Sequence, residues 1–171
     1  SAGHSPARLR RPRPEAGQSS NPPEAESGAF VILVDTGPLV ALCDRRDGHH
    51  GATARELGAL SGETFGTCEA VLAEAHFHLG RPAQRQRLRV VMKDLRLAVL
   101  PEGKASPLWP PVLDWLQRYE EHEPDWADAC LAVLSAAVPT ARVWTFDREF
   151  HTIWKRPDGT AIPLVARSAS R

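Results

Sequence analysis

The chain has 171 residues, of which 42% are hydrophobic and 25% are charged, and its formal net charge is zero. This length allows one domain with a sizeable core plus a tail, and the balanced charge excludes a strong overall attraction to nucleic acid or to membranes. Three widely spaced cysteines form neither a zinc-binding pattern nor a disulfide framework, so we expect a reduced, cytoplasmic protein. No apolar stretch approaches the length that spans a bilayer, so no membrane contact is expected.

Residues 1–28 differ in composition from everything that follows them. They are rich in Pro, Arg, Ser, Gly and Glu and contain almost no large apolar residue. Such a segment cannot bury enough surface to fold alone, so we expect a disordered arm at 1–28 ahead of one folded domain at 29–171. The arginines between Arg8 and Arg13 leave two interpretations open: a basic arm that touches RNA, or a remnant of a vector or of a misassigned start.

The folded part begins with a run of apolar residues, Phe30 to Val34, that leads directly into Asp35. A continuous apolar run of this kind predicts a strand that is buried on both faces. Ligands of open parallel sheets collect outside the carboxyl ends of the strands, which is where Asp35 lies. Because the following Thr-Gly-Pro turn can start a helix, Asp35 is either a functional carboxylate or the cap of that helix.

The rest of the chain alternates between helical patterns and short apolar runs. We expect helices that begin at residue 39 and then at 50 or 53 to 60, 68–79, 84–95, 108–119 and 125–138. We expect further strands at 64–67, 97–100, 142–146 and 162–165. Pro163 confines the last strand to a sheet edge, because proline cannot donate to the ladder. This alternation predicts an α/β fold with a mostly parallel sheet that is covered by helices.

Four acidic residues stand out because each lies in, or directly follows, an apolar stretch: Asp35, Glu74, Asp128 and Asp147. A carboxylate near a core is costly unless it is paired, caps a helix or holds a cation. Clustered carboxylates raise one another's pKa, and a hard divalent cation such as Mg²⁺ or Mn²⁺ removes that conflict. An all-carboxylate site of this kind suits metal-assisted hydrolysis of a phosphodiester.

Each of these residues also has a purely structural interpretation. Glu74 can be a solvated helix residue, and Asp147 can open a turn. Asp128 can lie in the first turn of its helix, where the helix dipole favours it, with Asp125 as the N-cap on the same face. Spacing alone does not prove that the four side chains converge.

Four segments of the chain together resemble the PIN-domain ribonucleases, most of all the VapC-like toxins of bacterial type II toxin–antitoxin pairs. The matching segments occur in the family's order at 34–42, 67–74, 125–131 and 145–150. The resemblance implies a three-layer α/β/α sandwich with a mostly parallel sheet of about five strands. It also implies a metal-dependent endoribonuclease that uses Mg²⁺ or Mn²⁺.

The resemblance places four carboxylates in the catalytic site. Asp35 and Asp128 would be the direct metal ligands. Asp147 would hold a second metal or its waters. Glu74 would orient or deprotonate the attacking water.

The resemblance also implies supporting residues and partners. Asp125 matches an acidic position that only some members keep, and Thr36 and Thr145 would donate hydrogen bonds to the carboxylates. The implied partners are an RNA substrate, a small antitoxin protein and a second copy of the chain in a homodimer. Two alternatives stay open: a non-catalytic PIN-fold module that binds RNA or protein, and a stand-alone RNA-processing nuclease.

One basic stretch lies outside these segments. Arg85, Arg87 and Arg89 alternate along the helix expected at 84–95. Such a run is typical of a solvated helix face, and contact with an RNA backbone is the alternative.

Overall fold

The computed structural model describes residues 31–101 and 107–166, so the predicted arm at 1–28 lies outside the described residues. The strands are β1 (Val31–Val34), β2 (Thr64–Cys68), β3 (Ala98–Leu100) and β4 (Ala141–Trp144). The helices are α1 (Thr36–Cys43), α2 (His50–Ala59), α3 (Glu69–His78), α4 (Pro82–Asp94), α5 (Trp109–Arg118), α6 (Trp126–Ala137) and α7 (Glu149–Thr152). A 3₁₀-helix at Glu120–His122 links α5 to the segment before α6.

The sheet has the strand order β3-β2-β1-β4, and all of its strand pairs are parallel. In the central strand β1, Ile32, Leu33 and Val34 are fully buried, as the apolar run predicted. Helix α1 packs on α2, α3 and α4, whereas α6 packs on α5 and on the strands β2 and β4. The predicted α/β sandwich with a parallel sheet is therefore confirmed.

The number of strands is a correction: the described residues form four strands rather than about five. The segment expected as a fifth strand, 162–165, makes only an isolated parallel bridge between Leu164 and Val143. The amide of Val143 donates to the carbonyl of Pro163 at 2.8 Å, and the amide of Val165 donates to the carbonyl of Val143 at 2.9 Å. The segment lies at the outer edge of β4, and Pro163 has no amide hydrogen with which to extend a ladder.

All six predicted helices exist, with shifts at their ends. Helix α1 begins at Thr36 instead of residue 39, because Asp35 caps it. Strand β4 ends at Trp144, two residues earlier than predicted, and Thr145 and Phe146 leave the ladder. The short helix α7 and the 3₁₀-helix were not predicted. In the described residues, no helix is both long enough and apolar enough to cross a membrane.

The carboxyl ends of β1 and β4 lie side by side. The amide of Asp35 donates to the carbonyl of Trp144 at 3.1 Å, which extends the ladder by one bond beyond β1. The residues that follow both strands, Asp35 and Thr145, are therefore neighbours in space although they are far apart in sequence.

Candidate active site

Asp35 both caps helix α1 and faces the other acidic residues. One carboxylate oxygen, Oδ1, accepts a hydrogen bond from the amide of Thr36 at 2.7 Å. The other, Oδ2, accepts from the hydroxyl of Thr145 at 2.6 Å. Asp35 is only 8% exposed. Burial raises its pKa to about 6, although these two hydrogen bonds oppose the rise and the charges of Glu74 and Asp125 add to it.

Glu74 is brought to the site by helix α3. The hydroxyl of Thr36 donates to Glu74 Oε2 at 2.8 Å, which ties α3 to the first residue of α1. His78 Nε2 lies 3.5 Å from the other oxygen, Glu74 Oε1, one helical turn away. Thr36 therefore donates to a carboxylate, as the resemblance implied, and that carboxylate is Glu74.

The start of helix α6 contributes two carboxylates. Asp125 is the N-cap, and its Oδ1 accepts from the amide of Asp128 at 2.8 Å. Burial is the largest cause that raises the pKa of Asp128 to about 8, followed by the negative charges of Asp125, Asp35 and Asp147. Without a cation, this position therefore disfavours the negatively charged form of Asp128.

The loop after β4 holds its acidic residues by local hydrogen bonds. The hydroxyl of Thr145, which donates to Asp35, also accepts from the amide of Asp147 at 2.9 Å. Asp147 Oδ1 in turn accepts from the amide of Glu149 at 2.9 Å. A single threonine hydroxyl thus joins the segments that follow two adjacent strands.

Three carboxylates lie close enough to share a cation. One oxygen each of Asp128, Asp147 and Glu149 lies within 4.8 Å of the others, and no other such trio of His, Cys, Asp or Glu atoms occurs in the described parts of the chain. These oxygen donors suit Mg²⁺ or Mn²⁺, and a cation would offset the repulsion that raises the pKa of Asp128. Asp35 is not one of the three; its two oxygens accept hydrogen bonds from Thr36 and Thr145.

Glu149 is a candidate site residue that was not predicted from the sequence. The signal was present, because Glu149 lies two residues after Asp147, but the segment was interpreted as a turn. The turn does form, and it is what places Glu149 in the first turn of α7, beside Asp147.

All four carboxylates predicted for the site line one cavity of about 700 Å³. Thr36, Asp125 and Glu149 line it as well, whereas Thr145 contributes through its hydrogen bond to Asp35. Further polar residues complete the wall: Asp44, Asp47, His49, His78 and Glu123. The cavity is therefore strongly acidic and contains no lysine or arginine among its lining residues.

Residues 32–155 match the family model described as the PIN domain. This chain belongs to the PIN-domain family. The matched range begins at the second residue of β1 and includes β2 to β4 and every carboxylate of the acidic cavity. The resemblance found in the sequence is thereby confirmed at the level of the family.

A solved structure shares the fold of this PIN domain. It is the toxin VapC20 of Mycobacterium tuberculosis, described as cleaving the sarcin–ricin loop. The two chains are 24% identical with a TM-score of 0.57, and the match covers 70% of this chain and 92% of VapC20. A comparison with curated protein sequences finds no match.

Proposed function

We propose that this PIN domain is a metal-dependent endoribonuclease that hydrolyses RNA phosphodiester bonds, and that it is the toxin of a toxin–antitoxin pair. The observation that carries the nuclease proposal is the convergence of Asp35, Glu74, Asp128 and Asp147 in one acidic cavity. Carboxylates held this close together repel one another, and the arrangement has a chemical use when they bind a divalent cation. The toxin proposal is supported by the fold that the chain shares with VapC20.

Asp128, Asp147 and Glu149 would hold Mg²⁺ or Mn²⁺, and Asp35 would complete the set from the end of β1. A bound cation supplies Lewis-acid stabilisation of charge on the phosphoryl group and lowers the pKa of a coordinated water. The role of Asp125 in this proposal is to fix the start of α6, since its side chain bonds the amide of Asp128.

Glu74 is proposed to orient or deprotonate the attacking water. Its Oε2 is held by the hydroxyl of Thr36, so the carboxylate has a fixed direction in the cavity. A general base must be held within hydrogen-bond reach of the proton that it removes, and this contact restricts the side chain accordingly. Thr145 holds Asp35 in the same way, through a hydroxyl bond to Oδ2.

The proposed partners follow from the same family likeness. They are an RNA substrate, a small antitoxin protein that blocks the acidic cavity, and a second copy of this chain in a homodimer. A cytoplasmic location is the corresponding proposal for where the protein acts. Because VapC20 is described as cleaving the sarcin–ricin loop, an RNA hairpin with that loop is a rational first substrate to test.

The test is cleavage of a mixed pool of structured and unstructured RNAs, with the sarcin–ricin hairpin included, in Mg²⁺, in Mn²⁺ and in EDTA. The Asp35→Asn variant keeps the helix cap, because asparagine caps as well as aspartate does. The matched control is Asp158→Asn, which changes an exposed turn aspartate that accepts hydrogen bonds from the amide and the hydroxyl of Thr160. We expect cleavage that needs both metal and Asp35 and that survives in the control. Absence of cleavage by folded, partner-free protein in both metals would contradict the proposal.

A further inference from the structure

The loop between α1 and α2 separates the acidic cavity from a second pocket. Asp44, Asp47 and His49 of this loop line the acidic cavity. Arg45, from the same loop, and His50, the first residue of α2, line a pocket of about 380 Å³ instead. Successive residues thus supply opposite charges to two neighbouring cavities.

The second pocket offers only uncharged or cationic side chains. Its polar lining consists of Arg45, His50, Gln84 and Arg87, and no carboxylate lines it. Among the described residues, no carboxylate oxygen lies within 4.0 Å of either guanidinium group. Arg87 also lines a smaller adjoining cavity that includes Asp94. Two arginines without a paired carboxylate, at one concave surface, are typical of an anion site.

Hydrogen bonds fix two of the polar side chains that line this pocket, His50 and Gln84. The Nδ1 atom of His50 lies 2.6 Å from the carbonyl of Ala41, so it donates there and the ring is fixed. Gln84 Oε1 accepts from the amide of Arg81, while its Nε2 donates to Asp44 at 2.7 Å. Since Asp44 lines the acidic cavity, this side chain links the two sites directly. The pocket therefore has a fixed position relative to the proposed catalytic carboxylates.

We propose that this pocket binds a backbone phosphate of the RNA substrate, at a position outside the bond that is cleaved. This inference rests on the proposed nuclease function. The acidic cavity repels an RNA strand, and the chain has no net charge to attract one. Arg45 and Arg87 supply a local attraction across a single loop from the cavity, and guanidinium groups bind phosphate by paired hydrogen bonds.

The test measures RNA binding separately from cleavage. The parent protein is the Asp128→Asn variant in Mg²⁺, and the probe is a fluorescently labelled, short single-stranded RNA followed by anisotropy. In this parent, Arg45→Gln and Arg87→Gln are combined. The matched control combines Arg46→Gln and Arg89→Gln, which removes the same charge from the same loop and the same helix. Neither control residue lines the acidic cavity or the second pocket.

We expect the pocket variant to bind the RNA about tenfold more weakly than the parent, with a salt slope lowered by about 0.7 for each phosphate that the protein no longer neutralises. The control pair changes affinity much less. In the enzyme with Asp128 restored, the pocket variant raises KM and leaves kcat unchanged. Replacement of both arginines by lysine recovers part of the affinity, because lysine keeps the charge without the paired donors.

Equal weakening in the pocket and control variants would overturn the inference, because the effect would then be general electrostatics. A parent that does not bind the RNA would overturn it as well. Circular dichroism checks that both variants are folded. We expect them to be folded because the arginines that are replaced are exposed. Failure of the proposed function has a different signature. In that case the wild-type chain cleaves no RNA in Mg²⁺ or Mn²⁺, whereas the difference in binding between the pocket and control variants remains.

Discussion

Two sets of carboxylates in this PIN domain have different neighbours: one set has hydrogen-bond donors beside it, and the other has further carboxylates. Glu56 is only 3% exposed and accepts a hydrogen bond from the indole of Trp144 at 2.8 Å. Glu63 pairs with the guanidinium group of Arg142 at 2.9 Å. Asp128 and Asp147 face other carboxylates instead, and no Lys, Arg or His nitrogen of the described residues lies within 4.0 Å of either.

The difference shows that burial does not by itself mark a functional carboxylate. Glu56 is more deeply buried than Asp128, yet it has a donor that satisfies it, so it stabilises the fold. The pKa of Asp128 is raised to about 8 because the residue is partly buried among other acidic groups. A cation in the proposed site would lower the free-energy cost of keeping this carboxylate ionised. Substitutions in the two sets should therefore differ in their effects.

The largest expected effect is the loss of cleavage in Asp128→Asn, by about a thousandfold or more, since a proposed metal ligand is removed. The same change on the other set, Glu56→Gln, should leave cleavage intact, because the glutamine carbonyl can still accept from Trp144. RNA cleavage rates in Mg²⁺ measure both. An equal loss in the two variants would mean that the contrast between the sets is unrelated to catalysis.

Glu149→Gln is expected to weaken Mn²⁺ binding by about tenfold or more, because one of the three clustered carboxylates loses its charge. Isothermal titration calorimetry with Mn²⁺ measures this. The control Glu120→Gln changes an exposed residue of the 3₁₀-helix, outside the acidic cavity. Unchanged affinity in Glu149→Gln would remove Glu149 from the proposed site.

The metal-free protein should lose stability as pH rises. The pKa of Asp35 is raised to about 6 and that of Asp128 to about 8, so the folded state binds more protons than the unfolded state above the ordinary value of 3.8. These two pKa values correspond to a fall of roughly 5 kcal/mol in the free energy of unfolding in EDTA between about pH 5 and pH 8. Urea denaturation at the two pH values measures it.

Two comparisons test the cause of that loss. Asp128→Asn should flatten the pH dependence, because the group with the larger shift no longer ionises. Mg²⁺ should restore stability at the higher pH in the wild-type protein only. A stability that rises with pH in EDTA would show that burial and the neighbouring carboxylates do not raise these pKa values as described.

The smallest expected effect is that of Thr145→Val, which removes the hydroxyl between Asp35 and Asp147 without changing the side chain's shape. We expect a loss of about 1–2 kcal/mol in the free energy of unfolding and a drop in cleavage of about tenfold. The control Thr152→Val removes an exposed hydroxyl that bonds the carbonyl of Arg148. Cleavage that falls equally in both variants would argue against a positioning role for Thr145.

Much of the fold could be predicted from the sequence because its signals are local. The apolar run before Asp35 fixes a central buried strand, and the alternation of helices and strands fixes a parallel sheet. The sheet edge could not be predicted in full. Whether 162–165 forms a strand or a single bridge depends on how far its backbone can follow β4, and Pro163 limits that.

The candidate site was predictable where a carboxylate follows a strand, as at Asp35, or interrupts an apolar helix, as at Asp128. Glu149 was missed because its placement depends on a hydrogen bond from its own amide to Asp147, which spacing does not reveal. Glu56 lies in a helix of low apolar content, so its burial comes from tertiary contact with Trp144. The second pocket likewise depends on tertiary contact, namely the packing of α4 beside the loop after α1.

The double role of Asp35 has a consequence for how this domain can change by mutation. Aspartate and asparagine codons differ at one base, and asparagine caps a helix as well as aspartate does. One point mutation at Asp35 therefore removes a charge from the acidic cavity while α1 keeps its cap. Alanine at the same position would cost about 0.5–2 kcal/mol of stability. Under the proposed function, a copy that carries this mutation would be inactive and still folded.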